Sequence, residues 1–276
     1  MIDRTPLGLD QVSEEKQNII RGLATRPRPI LDSQHQLMLF WSAKAGCTFA
    51  VKWMLDHMGL LQEALAHHQW VHKFRVAKLY AGLAHKSSVR DFLDSFDGYR
   101  AIKIVRNPYK RAVSSYIHAA RFGYEDARIS DFLSRPVEKH GGFSFREFVT
   151  YLETIDLCAC NVHHRVQVHP LERYFVSGSR FVIDLDHSMA MLPKLERMLG
   201  LPQSDPADYR ESSHHMRTSS DANEEFRGDV EFIDLRQAEG TLPGYRSFYD
   251  ADLERRVYNL YAEDFLLYGF STTLGS

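Results

Sequence analysis

The stretch from residue 36 to residue 59 restricts the fold more than any other part of the chain. Gln36-Leu-Met-Leu-Phe-Trp41 is a short apolar run suited to a buried strand, and it passes directly into Ser42-Ala-Lys-Ala-Gly-Cys-Thr48. Residues 49–55 follow with the apolar spacing of a helix that ends near Gly59. A strand, a glycine-bearing turn and a helix in immediate succession form the layout of a phosphate-binding loop. Glycine at the turn lets the backbone approach a ligand closely, and the free N–H groups of a first helical turn point at an anion. Lys44 adds a mobile positive charge and Thr48 a hydroxyl donor. The same residues also suit an ordinary strand-to-helix turn with a surface lysine. In a Walker A loop the lysine follows the second glycine; here Lys44 precedes Gly46 and none follows, which argues against an ATPase or kinase.

A second segment carries more specific chemistry. Residues 99–105 read as another buried strand, closed by Arg106, and Asn107-Pro108 opens a helix running to about Phe122. Asparagine is a preferred N-cap and proline is preorganised for the first helical position. Val113, Tyr116, Ile117 and Ala120 give this helix one apolar face. Arg106, at the carboxyl end of its strand, faces the crevice where α/β proteins bind ligands. Ser114 lies about two helical turns on, placed to face the same crevice. A forked guanidinium with a hydroxyl makes a clamp for a phosphate monoester; Arg106 paired with a carboxylate and Ser114 as a plain helix-face residue is the other reading.

The remaining pattern predicts a short helix over 13–23, helices over 62–83, 87–94, 145–155, 189–199 and 251–268, a strand over 180–185, and a long polar loop over 203–229. Strands alternating with helices put the chain in the α/β class, as a P-loop-like three-layer fold with a central, mostly parallel sheet flanked by helices. Residues 1–35 are expected to be a peripheral arm and 36–271 a single domain. The 34 basic and 36 acidic residues leave a net charge of −2, so nothing draws in nucleic acid globally and an anion must be met by a local cluster. With no apolar leader, no apolar run of about 18 residues and three cysteines, a cytoplasmic protein without membrane span or disulfide framework is expected. Cys158 and Cys160 form only Cys-x-Cys, too little for a zinc site, and no metal is expected.

The pair 42–48 and 105–114, Val-Arg-Asn-Pro-Tyr-Lys-Arg-Ala-Val-Ser in the second case, closely resembles the two nucleotide motifs of sulfotransferases that use 3′-phosphoadenylyl sulfate (PAPS). Among these it looks most like the carbohydrate sulfotransferases that include the chondroitin and HNK-1 enzymes, in a soluble, bacterial-type form. His163-His-Arg-Val-Gln167, the stretch 181–185 and the stretch 257–271 are similar to further parts of that family, so the resemblance spans roughly 36–271. Ala43 replaces the family's usual proline, and Phe49 stands where serine, asparagine or tryptophan is frequent.

The resemblance implies sulfuryl transfer from PAPS to a hydroxyl acceptor, a glycan or glycolipid, leaving adenosine 3′,5′-bisphosphate. Lys44, Ala45, Gly46, Cys47, Thr48 and Phe49 would wrap the 5′-phosphosulfate, mainly through backbone N–H groups. Arg106 and Ser114 would hold the 3′-phosphate, and Arg217, in the polar loop, would close over the nucleotide. Lys44 would also stabilise charge on the leaving group. The family's general base lies between the two motifs, where this chain offers His57, His67, His68, His72 and His85. Val71-His-Lys-Phe-Arg-Val-Ala-Lys-Leu79 fits the family stretch best, which favours His72, with His85 second. Segments 124–142 and 173–180 would shape the acceptor site. A phosphotransferase of similar fold, or a non-catalytic module binding nucleotide or anionic glycan, are the competing readings.

Overall fold

The computed structural model describes residues 14–139, 141–210, 225–237 and 242–275. It is a mixed α/β protein whose sheet has four strands: β1 (Ile30–Asp32), β2 (Leu37–Phe40), β3 (Arg100–Val105) and β4 (Arg180–Asp184). Their spatial order follows the chain. β2, β3 and β4 are parallel, with Leu39 opposite Ile102 and Ile102 opposite Phe181, whereas β1 pairs antiparallel with β2. The expectation of a peripheral arm through residue 35 therefore fails at its end. Ile30 and Leu31 are both buried, because a hairpin to β2 puts one on each face of the sheet.

Before and around this sheet run α1 (Glu14–Ala24), α2 (Cys47–His57), α3 (Leu61–His67), α4 (Val71–Phe74) and α5 (Leu83–Asp94). Then come α6 (Pro108–Phe122), α7 (Asp126–Leu133), α8 (Phe145–Leu152), α9 (Ser188–Leu199), α10 (Phe232–Gln237), α11 (Ala251–Leu260) and α12 (Ala262–Tyr268). The alternation of β2 sorts its side chains: Leu37 and Leu39 join α2, α4 and α9 in one core, and Met38 and Phe40 join α1 and α5 in another. A third core holds no strand. It packs α6, α8, α11 and α12 around Tyr116, Phe148 and Phe265. Among the described residues no helix is long and apolar enough to cross a membrane.

Two helices predicted as continuous are broken. The stretch 62–83 divides after α3, where His68 turns extended and its Nδ1 accepts from the Trp70 amide at 2.8 Å. That break lets Leu61 and Ala64 on one side, and Val71 and Phe74 on the other, reach the same core. The stretch 251–268 breaks at Tyr261, whose buried hydroxyl donates to the His164 carbonyl at 2.8 Å. The polar loop from 203 contains a turn over Pro206–Tyr209, and Tyr209 is buried with its hydroxyl on Asp56. α7 and α10 were not anticipated from the pattern, being only 8 and 6 residues long.

The third core fixes the orientation of α6, so its supports can be tested. Ser144 caps α8 by accepting from the Glu147 amide at 3.2 Å, while Glu147 accepts from the Ser144 amide at 2.8 Å. Ser144→Ala should lower the unfolding free energy by about 1 kcal/mol in urea titration, with Ser144→Thr close to wild type.

Candidate active site

The site is built where β2 and β3 end side by side. After β2 the chain turns through residues 43–46, and two of these residues take left-handed backbone: Lys44 at φ 65° and Gly46 at φ 73°. A non-glycine residue at positive φ is costly and is retained where surrounding structure enforces it. Two arginines do so, one just after β3 and one from α6. Arg111, only 1% exposed, donates through Nε to the Ala43 carbonyl at 3.0 Å and through an Nη to the Arg165 carbonyl at 2.5 Å. Arg106 donates through Nη1 to the Lys44 carbonyl at 3.2 Å. With these carbonyls held by guanidinium groups, the loop enters α2 at Gly46, and among the described residues no side chain caps the first-turn amides.

Gly46 is required twice over. Its backbone is left-handed, and a Cβ there would stand 2.5 Å from Cδ1 of Leu185. Ala45 is buried, Cys47 and Thr48 are half-buried, and the Phe49 ring turns into the core against Tyr209 at 6.1 Å. Among the loop residues, then, Lys44 and Thr48 bring side-chain donors while Phe49 brings only backbone.

Arg106 is positioned by Gln167. The Gln167 carbonyl oxygen of the side chain accepts from the Arg106 amide at 3.0 Å, and its Nε2 donates to the Arg106 carbonyl at 2.9 Å. Asp264, on α12, accepts from the Gln167 amide at 2.7 Å and fixes this brace. Lys103, buried in β3, ties the same segment to the loop by donating to Ser42 Oγ at 3.0 Å and to the Gln167 carbonyl at 2.5 Å. Glu172 neutralises it at 3.3 Å. Ser114 lies half-buried on α6; its neighbour Ser115 faces inward to His164 Nδ1 at 2.6 Å.

The electrostatics are those of cations crowded in a partly dehydrated place. Burial lowers the Lys44 pKa to about 8; Cys47 opposes this, while Arg106, Arg111 and Arg121 lower it further. Burial likewise lowers Arg106, with Asp186 opposing, and its Nε is buried without a hydrogen-bond partner among the described residues. Such an orphaned donor on a buried guanidinium leaves a hydrogen bond for which an anion is a suitable acceptor.

His72 lies on α4 and reaches the loop, with Nε2 3.4 Å from Thr48 Oγ1 and its ring 5.6 Å from that of Trp41. Burial first, then Arg75 and His163, bring its pKa down to about 3, so the imidazole is neutral at physiological pH. His85 instead lies against Tyr80 at 5.1 Å, its pKa lowered by burial and Arg28. Thus the loop, Arg106 and His72 converge, while His85 sits behind Tyr80. Arg217 lies outside the described residues.

Several participants had not been singled out. Arg111 is the second arginine of the 105–114 motif, so its signal was present without a role. His163, lowered by burial and by Lys44 to about 4, and Gln167 lie in the 163–167 motif. Arg75 is marked only by standing three residues after His72, on one helical face.

A family model described as "Sulfotransferase family" matches residues 28–271. No curated protein and no solved structure matches the chain.

The loop geometry predicts that Gly46→Ala costs about 1–2 kcal/mol from the left-handed backbone alone, with a further loss from the clash with Leu185. Gly46→Ala combined with Leu185→Ala should recover the clash but not the backbone part. Thermal or urea unfolding of both variants measures this, and full recovery would contradict the backbone requirement.

Proposed function

The chain belongs to the sulfotransferase family, and on that premise we propose that this sulfotransferase takes its sulfuryl group from PAPS and transfers it to a carbohydrate hydroxyl, with His72 as general base. One contact carries this reading: the Arg106 guanidinium is bonded to the Lys44 carbonyl, which supports taking the two expected phosphate cradles as walls of a single site. Three observations fit an adenosine with charged groups at both ends. The α2 amides are uncapped, Lys44 and Gly46 hold the loop left-handed, and Arg106 keeps an unpartnered buried Nε. On the same reading Ser114 and Arg106 hold the 3′-phosphate, residues 44–49 the 5′ end, and Arg217 closes over the nucleotide.

PAPS, when bound, supplies a sulfuryl group on a phosphate leaving group. The protein's part is positioning and charge compensation, as in phosphoryl transfer. His72, uncharged through burial, takes the proton of the acceptor hydroxyl, whose oxygen forms its bond to sulfur. The sulfur–bridging oxygen bond breaks and its electron pair leaves on the nucleotide phosphate, next to the Lys44 ammonium and the first-turn amides. Thr48, 3.4 Å from His72, keeps the imidazole oriented toward the transfer point. The carbohydrate acceptor rests on the resemblance of the 42–48 and 105–114 motifs. A P-loop-like three-layer arrangement and a cytoplasmic setting belong to the same reading; the three free cysteines suit a reducing compartment.

Transfer of labelled sulfate from PAPS to a panel of glycans, glycolipids and phenols tests the activity and ranks acceptors. His72→Ala should lower kcat by about 10²–10⁴ with nucleotide affinity unchanged; wild-type turnover would move the base to His85. The lowered Lys44 pKa sets a second outcome. In the free enzyme its charge is lost as pH rises through about 8, so kcat/KM for the donor should fall above that pH. Lys44→Arg should move this limb out of range, and an unchanged limb would exclude Lys44 as its source.

A further inference from the structure

One buried cation near the base has no task in the scheme above. α4 passes at Arg75 into a π-helical turn, Arg75–Leu79, closed by the Tyr80 amide on the Arg75 carbonyl at 3.1 Å. Such turns are rare and often mark functional positions. Arg75 is 7% exposed, with its guanidinium carbon 3.7 Å above the Trp41 ring and 5.7 Å from that of Tyr80. Its Nε and Nη1 are buried without a hydrogen-bond partner, and no carboxylate among the described residues pairs with it. The Tyr80 hydroxyl beside it already donates to the Arg28 carbonyl at 2.6 Å. That hydroxyl is a neutral partner for the guanidinium; a buried guanidinium without a counter-charge is costly, and its fork is shaped to receive two oxygens of one anion.

Its surroundings say where that anion goes. Trp41 is shared: Arg75 covers its ring and the His72 ring lies 5.6 Å away, so one indole positions both. His72 meets Thr48, and Arg75 feels Cys47, both at the start of α2. His72 is therefore faced by Arg75 from its own helix, by His163 from the 161–167 segment, by the Thr48 hydroxyl from α2, and by the rings of Trp41 and Trp70. None of these is an anion. A proton taken up by His72 would create an imidazolium beside a guanidinium, with no carboxylate among the described residues paired to either.

We propose that Arg75 seats an oxyanion of a bound substrate against His72, so that the base gains its proton affinity only in the loaded site. The anion is a sulfonate or carboxylate group, and the contacts of Thr48 and Cys47 favour the transferring sulfuryl group of the donor over an acid on the acceptor. The inference rests on the reading of His72 as base, and it adds a condition: the base is switched on by the charge it is about to serve. The proton then moves from the acceptor hydroxyl to His72 while Arg75 remains charged and bonded to the anion.

The test reads the His72 imidazole directly, by NMR titration, with its resonance identified through its loss in His72→Asn. Adenosine 3′,5′-bisphosphate alone should leave the His72 pKa low. PAPS without acceptor, or the bisphosphate with inorganic sulfate, should raise it by about one unit or more, a tenfold or greater gain in proton affinity. Acetate with the bisphosphate is the other arm, and a rise there but not with sulfate would assign the anion to the acceptor. Arg75→Gln should abolish the rise while binding the bisphosphate as wild type does, which also shows that the variant is folded. Arg75→Lys should respond only at higher anion concentration, because it lacks the fork. No rise with any oxyanion, or an equal rise in Arg75→Gln, overturns the proposal. Since the titration needs no turnover, a failed sulfate transfer alongside a positive titration would count against the proposed activity and not against Arg75.

Discussion

The hydrogen bond from Arg106 to the Lys44 carbonyl is the contact that ties together the segments following two neighbouring strands. It works because each partner is held independently. Gln167 brackets the Arg106 backbone from both sides, Asp264 holds Gln167, and Arg111 pins the Ala43 carbonyl one residue earlier. The C-terminal helix and the segment after α8, which are remote from the loop in sequence, thereby act on the loop backbone. Segments remote in sequence are in this way tied to the shape of the 43–46 loop.

That cradle is electrostatically unfavourable as it stands. Lys44, Arg106, Arg111 and Arg75 are drawn into poorly hydrated positions, and of these only Arg111 has its visible donors occupied by backbone carbonyls. Burying charge without counter-charge costs stability. Such a cost is offset when an anionic ligand binds the native state and not the unfolded chain. The same crowding keeps the nearby imidazoles uncharged, since burial and adjacent cations both disfavour a further positive charge. An imidazole free of its proton, near a lysine whose own pKa is lowered, follows from one common cause.

Much of this was legible in the sequence. The strand–turn–helix at 37–57 and the strand–Asn-Pro–helix at 100–122 combine patterns that local chemistry dictates: apolar runs, a glycine with positive φ, and an N-cap whose side chain accepts from the Tyr109 amide at 2.9 Å. The sequence favoured His72 over His85 by its flanking residues, and in the structure His72 is the one that lies 3.4 Å from Thr48 Oγ1. What escaped depends on long-range geometry. Nothing local distinguishes Ile30-Leu-Asp32 from a loop until β2 offers it a partner, and the breaks at His68 and Tyr261 occur because the chain must turn to bury both halves of each segment. Arg75 is one of many arginines in the sequence; what sets it apart appears only in the structure, where Trp41 lies beneath it and no carboxylate among the described residues pairs with it.

The central claim is that both cradles grip a single nucleotide, and calorimetry tests it most directly. Adenosine 3′,5′-bisphosphate should bind at one site per chain, at least about tenfold more tightly than adenosine 5′-monophosphate, a difference of about 1.4 kcal/mol. Arg106→Ala should erase that advantage while leaving the affinity for the monophosphate nearly as it was. Two sites per chain, or equal affinity for the two nucleotides in the unaltered protein, would mean that Arg106 and Lys44 do not serve the same ligand.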